Sequence, residues 1–107
     1  MSGMDFNKMM EQVQQMQTQM QQAQEELKNE TVQATAGGGM VTVTATGSGE
    51  IKAITIDPKA IDPDDPELLA DMILAAVNEA LRSSQSLMES KLGPALGGLH
   101  GMGLPGL

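Results

Sequence analysis

A chain of 107 residues has room for one domain, and its core is small enough that any large apolar surface must be shared with a partner. One Phe, no Tyr, no Trp, no Cys and a single His remove the stacking platforms of single-strand and RNA readers. They also exclude thiol chemistry, disulfides, zinc sites and Ser-His-Asp catalysis within one chain. Six Lys+Arg against fourteen Asp+Glu leave a net charge of −8, the wrong sign for electrostatically driven binding to nucleic acid or anionic membrane.

The N-terminus MSGMDF has no basic region and no apolar run, and no segment nears eighteen consecutive apolar residues. Neither a signal peptide nor a membrane span is expected, and a cytoplasmic location is the default. From Asp5 to about Asn29 the apolar residues Phe6, Met9, Val13, Met16, Met20, Ala23 and Leu27 follow one another at alternating spacings of three and four. That is the coiled-coil-like pattern of a helix with a narrow seam. Gln, Glu, Met and Lys favour the helix, and no Gly or Pro interrupts it. About 25 residues span roughly 37 Å at 1.5 Å per residue, so this helix must project or pair along another. Residues 12–24 hold eight Gln and no charge, with Lys8 and Lys28 at either side.

The period changes at residue 31. Thr31 to Ala36, Met40 to Thr46 and Ile51 to Ile56 are rich in Val, Ile and Thr, with Gly37-Gly38-Gly39 and Gly47-Ser48-Gly49 between them. Three short runs joined by Gly-bearing connections predict an antiparallel meander. In its middle strand Val41, Val43 and Ala45 face one way, and Thr42, Thr44 and Thr46 the other. The glycines are hairpin turns rather than a phosphate loop, since GxxxxGK[ST] is absent and neither run leads from a strand into a helix.

Residues 57–71 concentrate charge, with Lys59 against six acids. Asp65 is placed to cap a second helix, Pro66 fits its first position, and Glu67 lies at the positive end of its dipole. Pro63 and Pro66 break any calcium-loop frame among Asp62, Asp64, Asp65 and Glu67, so no metal and no other cofactor is expected. From Leu68 to Leu92 the apolar face includes Leu69, Met72, Ile73, Ala76, Val77, Ala80, Leu81, Leu87 and Met88, wider than a coiled-coil seam. A wide face covers two surfaces, the sheet and a partner, and Ala75, Ala76 and Ala80 admit close backbone approach. Gly93-Pro94 is expected to end this helix. Residues 94–107, five of the fourteen being Gly, are expected to form a flexible tail carrying His100 as a solvated bystander. The fold class is therefore α+β, a single domain over residues 1–93 that completes its core as a homodimer.

The runs Ala36-Gly37-Gly38-Gly39-Met40-Val41-Thr42-Val43, Ile56-Asp57-Pro58, Asp62-Pro63-Asp64-Asp65-Pro66-Glu67-Leu68-Leu69-Ala70-Asp71 and Ala75-Ala76-Val77-Asn78-Glu79-Ala80 resemble the YbaB/EbfC family of bacterial nucleoid-associated proteins. The Met- and Gln-rich first helix and Gly103-Leu104-Pro105-Gly106 are also similar. The resemblance implies an intertwined homodimer with a central body and projecting helical arms. It further implies DNA binding without catalysis, in the nucleoid, in chromosome organisation, gene regulation or recombinational repair, with a repair protein as a further partner. Unlike many members, the chain has Thr42 or Thr44 where a middle-strand lysine stands, and Ala80-Leu81-Arg82-Ser83 in place of Ala-Leu-Lys-Lys. Both differences remove positive charge.

Candidate DNA contacts are therefore Lys8, Gln14, Gln15, Gln21, Gln22, Lys28, Arg82 and Lys91, because Gln donates to phosphate and the four cations avoid the acidic cluster. Candidate dimer-interface residues are Val41, Val43, Leu69, Ile73, Ala76 and Ala80. The alternative function is a protein-interaction scaffold with little DNA affinity, in which the Met-rich seam recruits a partner helix.

Overall fold

A computed structural model describes residues 3–100 of the chain, with side-chain surroundings for residues 6–93. Helix α1 (Gly3–Asn29) is followed by strands β1 (Thr31–Ala36), β2 (Val41–Thr46) and β3 (Ile51–Ile56), a single 3-10 turn at Pro58–Ala60, and helix α2 (Pro66–His100). The expected order and the strand boundaries hold to within a residue.

The strands form one antiparallel sheet in the order β1-β2-β3. The connections turn because Gly37, Gly38 and Gly39 all have positive φ, which a side chain would strain. Directly paired residues share a face, so Val41, Val43 and Ala45 stand in one layer with Ala36, Ala34 and Val32 of β1 and with Ile56, Ile54 and Ile51 of β3. A bulge at Thr44/Ala45 leaves Lys52 as the extra residue on β3. The shifted parity brings Ile51 onto the same face as Ile54 and Ile56, three apolar residues that simple alternation would divide.

α2 begins as its sequence dictates, with the Leu68 amide donating to Asp65 Oδ1 at 3.2 Å. Its small residues set the depth of packing. Ala76 and Ala80 have no exposed surface and let α2 sink onto Ala34, Val41, Val43 and Ala45. The helix lies across β1 and β2 and only brushes β3.

α2 also continues past Gly93-Pro94, where the sequence predicts its end, as far as His100. Proline removes one amide donor and crowds the carbonyl four residues earlier, but its fixed φ is itself helical, so the backbone can carry on through it at a local cost. Of the tail expected over residues 94–107, residues 101–107 lie outside the described residues.

The radius of gyration is 20.6 Å and the principal extents are 75 × 28 × 16 Å. A compact chain of this length has a radius near 13 Å, so α1 stands out from the body as its length predicts. Among the described residues no helix is long and apolar enough to cross a membrane.

Candidate nucleic-acid interface

α1 has two zones. Near its C-terminus Leu27 is buried and Met20 and Ala23 are half-buried, whereas Phe6, Met9, Val13 and Met16 are exposed. The same repeat is thus core at one end and open at the other. The Gln-rich stretch lies on the projecting zone, where Gln14, Gln15, Gln21 and Gln22 are all exposed. Their amides offer donors on a surface free of carboxylates from residue 12 to residue 24.

Three contacts fasten the base of the arm, and a fourth fixes α2 to β2 beside it. A Cβ at Gly47 would lie 2.7 Å from Leu27 Cδ2 and 2.9 Å from the Leu27 carbonyl oxygen, so α1 rests directly on the β2–β3 turn and only glycine fits there. The Gly47 amide donates to the Glu30 carbonyl at 2.9 Å. From α2, the buried Ser84 hydroxyl donates to the Thr46 carbonyl at 2.6 Å, and Lys91 Nζ reaches Glu26 Oε2 at 2.6 Å and Glu30 Oε1 at 3.0 Å. The hydrogen bond to Glu26, then that to Glu30, raises the Lys91 pKa above the ordinary lysine value. The second oxygen of Glu30 is buried without a partner. A cleft of about 250 Å³ beside these contacts is lined by Gln24, Leu27, Lys28, Ser48, Met88 and Leu92.

The four cations expected to meet DNA are not equivalent. Lys8 is exposed on the arm with no ion pair to a described side chain. Lys28 pairs loosely with Glu25 at 3.5 Å, and Arg82 pairs with Glu79 at 2.7 Å through exposed side chains. Such pairs are worth at most about 1 kcal/mol, so a phosphate can displace the carboxylate. Lys91, with 28% of its side chain exposed and two carboxylates around it, is committed to the joint between α1 and α2. Its reach across 65 residues of sequence could not be read from spacing.

Among the described residues no cluster of three or more His, Asp or Glu could hold a metal ion. The family model described as the YbaB/EbfC DNA-binding family matches residues 1–99. The chain belongs to that family. Nucleoid-associated proteins of Desulforamulus reducens, Acetivibrio thermocellus and Saccharopolyspora erythraea are similar to it at 53, 52 and 49% identity. The alignments cover 100, 98 and 96% of this chain and 99, 91 and 94% of those proteins, in that order. In fold it resembles the crystal structure of an uncharacterized protein from Helicobacter pylori, with a TM-score of 0.72 at 22% identity over 90% of this chain and 98% of that one. The family and these relatives are those of a nucleoid-associated DNA-binding protein and not of an enzyme.

For this YbaB/EbfC chain, the residues expected to join two protomers divide by burial. Val41, Val43, Ala76 and Ala80 have no exposed surface within a single chain, where sheet and α2 already enclose them, and Leu69 and Ile73 are half-buried. The apolar surface left open lies beside them. Because α2 leaves β3 uncovered, Ile54 is 45% exposed on the core face of the sheet, and Leu74 and Leu81 of α2 are exposed as well. Sequence reasoning missed Ile54 and Leu74 because nothing in periodicity says which two of three strands a helix will cover.

Proposed function

We propose that this protein is a non-enzymatic, nucleoid-associated homodimer that binds double-stranded DNA through its projecting α1 helices, in the cytoplasm of its cell, with a role in chromosome organisation, gene regulation or recombinational repair. The observation that carries the reading is the arm itself, a long helix that stands clear of the body and presents an uncharged Gln surface flanked by Lys8 and Lys28. On a chain of net charge −8 this is the surface least repelled by phosphate, while the acids of residues 57–71 flank the 3-10 turn and lie at the start of α2. The uncovered residues Ile54, Leu74 and Leu81 support the homodimer, since a second copy placed there would complete the core over β3.

The test is duplex binding at several salt concentrations together with a mass measurement. The contact involves few cations, because Lys91 is tied to the joint and Lys28 and Arg82 must first release a carboxylate. About two to four neutralised phosphates give a log–log salt slope of roughly −2 to −4 and an affinity of about micromolar or weaker at physiological salt. Exchanging Lys8 and Lys28 for Glu should lower affinity for every sequence while leaving the dimer intact. Unchanged affinity in that double variant rejects the arm as the contact. No binding at low salt by the parent protein favours instead a scaffold whose exposed Met-rich seam holds a protein partner.

A further inference from the structure

The exposed seam at the far end of α1 is not accounted for by DNA contact. Phe6, Met9, Val13 and Met16 continue the spacing of Met20, Ala23 and Leu27, which is packed at the base of the arm. Among the described residues its own chain does not reach it. Leu92 shares a cleft with Leu27, and α2 is described as far as His100, about 12 Å past Leu92 at 1.5 Å per residue. Met16 and Phe6 lie roughly 16 and 32 Å along α1 from Leu27 by the same rise.

The positions flanking the seam identify what fits it. In a paired helix the residues beside the a and d positions select the partner by charge. Here they are Asp5, Met10, Gln12, Gln17 and Gln19, while Lys8 and Glu11 fall on the outer face. The surface is apolar at the centre and, Asp5 at its end apart, neutral along both sides, and in antiparallel order Asp5 falls opposite Gln17, so an identical copy is not repelled. We propose that the distal half of α1 is a self-pairing surface, on which the arm of a second dimer docks antiparallel with Met9 against Val13 and Phe6 against Met16. Antiparallel order follows from size: helices pack 8–10 Å apart, and parallel arms would force two bodies of cross-section 28 × 16 Å into the same space.

With one isologous contact at the body and another at the arm, the contacts repeat outward and link dimers into an open chain. About one and a half heptads bind weakly in free solution, and dimers held on one or two duplexes supply the effective concentration that closes the contact. This rests on the DNA-binding reading for its setting, and its chemistry can be read without DNA.

Two measurements test it. In the first, duplex tethered to beads captures a second, labelled duplex through the protein. The variant with Met9→Gln and Val13→Gln keeps charge and helix propensity, and both positions are exposed in a single chain. It should lose at least about fivefold of the captured duplex while its affinity for one duplex stays within about twofold. In the second, Met9→Cys protein is mixed with Val13→Cys protein, which is clean because the chain has no other cysteine. A disulfide between the two variants, more abundant than in Val13→Cys alone, should form on duplex and in concentrated free protein. Capture equal to the parent, or no such disulfide in either setting, overturns the proposal. Loss of the body dimer in the glutamine variant would place the seam inside the dimer and also overturn it. So would cross-linking that appears only once residues 101–107 are deleted, since it would assign the seam to those residues. A protein that binds no duplex but still forms the disulfide defeats the DNA reading and leaves arm pairing standing.

Discussion

Two residues set the packing around the base of the long lever, and each does so by a different means. Ser84 donates from a fully enclosed position to the Thr46 carbonyl. That carbonyl also accepts from the Gly49 amide at 3.1 Å, so it keeps a partner when the hydroxyl is lost. Ser84→Ala should therefore cost only about 0.5–1.5 kcal/mol, the net value of one hydrogen bond without a stranded acceptor. Urea unfolding at fixed protein concentration measures it, the concentration being held because association contributes to apparent stability. Gly47 works by having no side chain. A methyl there meets the Leu27 backbone, which cannot swing away like a side-chain tip. Gly47→Ala should cost about 1–3 kcal/mol by overpacking and loosen the arm before it unfolds the sheet. Hydrogen exchange should then rise over residues 20–29 more than over β2.

At the scale of elements, the joint between α1 and α2 depends on Lys91 as an ion. Its folded pKa lies above the ordinary lysine value, with Glu26 the largest cause and Glu30 the next. A group raised in this way contributes stability that is fully present below its unfolded pKa and is lost as pH rises through its folded one. The stability gap between the parent and Lys91→Met should thus hold steady from neutral pH into mild alkali and close only in strong alkali. A gap that closes below the lysine range would mean that the apolar stem, and not the charge, makes the contact. The packing of α2 on the sheet has the opposite character, since it rests on small apolar residues. Ala76→Leu should destabilise by roughly 1–3 kcal/mol whatever the pH, because Ala76 has no exposed surface and lies in the buried cluster between α2 and the sheet.

For the whole molecule, the decisive feature is that one helix is asked to cover three strands and covers two. The open patch of Ile54, Leu74 and Leu81 is the surface through which a second copy would finish the core. Leu74 is 60% exposed in one chain, so Leu74→Gln leaves the protomer fold alone. Burying the exposed part of this leucine is worth about 1–2 kcal/mol, and two-fold symmetry counts it twice. The dissociation constant of the dimer should rise at least about twentyfold, as read by sedimentation across a concentration series. An unchanged constant would move the interface elsewhere, with the sheet edges as the next surfaces to probe.

Composition excluded thiol, zinc and Ser-His-Asp chemistry within one chain, and periodicity placed each element, because the spacing of apolar residues, the glycine turns and the Asp65-Pro66 start are local signals that operate within a few residues. The arm's projection was equally legible, since a 27-residue helix is longer than a compact domain of this size can hide. The candidate DNA surface was legible as a list, but the standing of each cation was not. Whether Lys91 faces phosphate or Glu26 and Glu30 depends on how two helices come together, with Lys91 and Glu26 65 residues apart in sequence. The end of α2 was misjudged at Gly93-Pro94 because the rule that stops a helix at proline weighs one missing donor and not the length of helix around it. The bulge at Lys52, the burial of Ala76 in place of Leu74 and the bareness of β3 are likewise decisions of tertiary packing. One helix with a wide apolar face has several ways to lie on three strands, and only the shape of the whole contact selects among them.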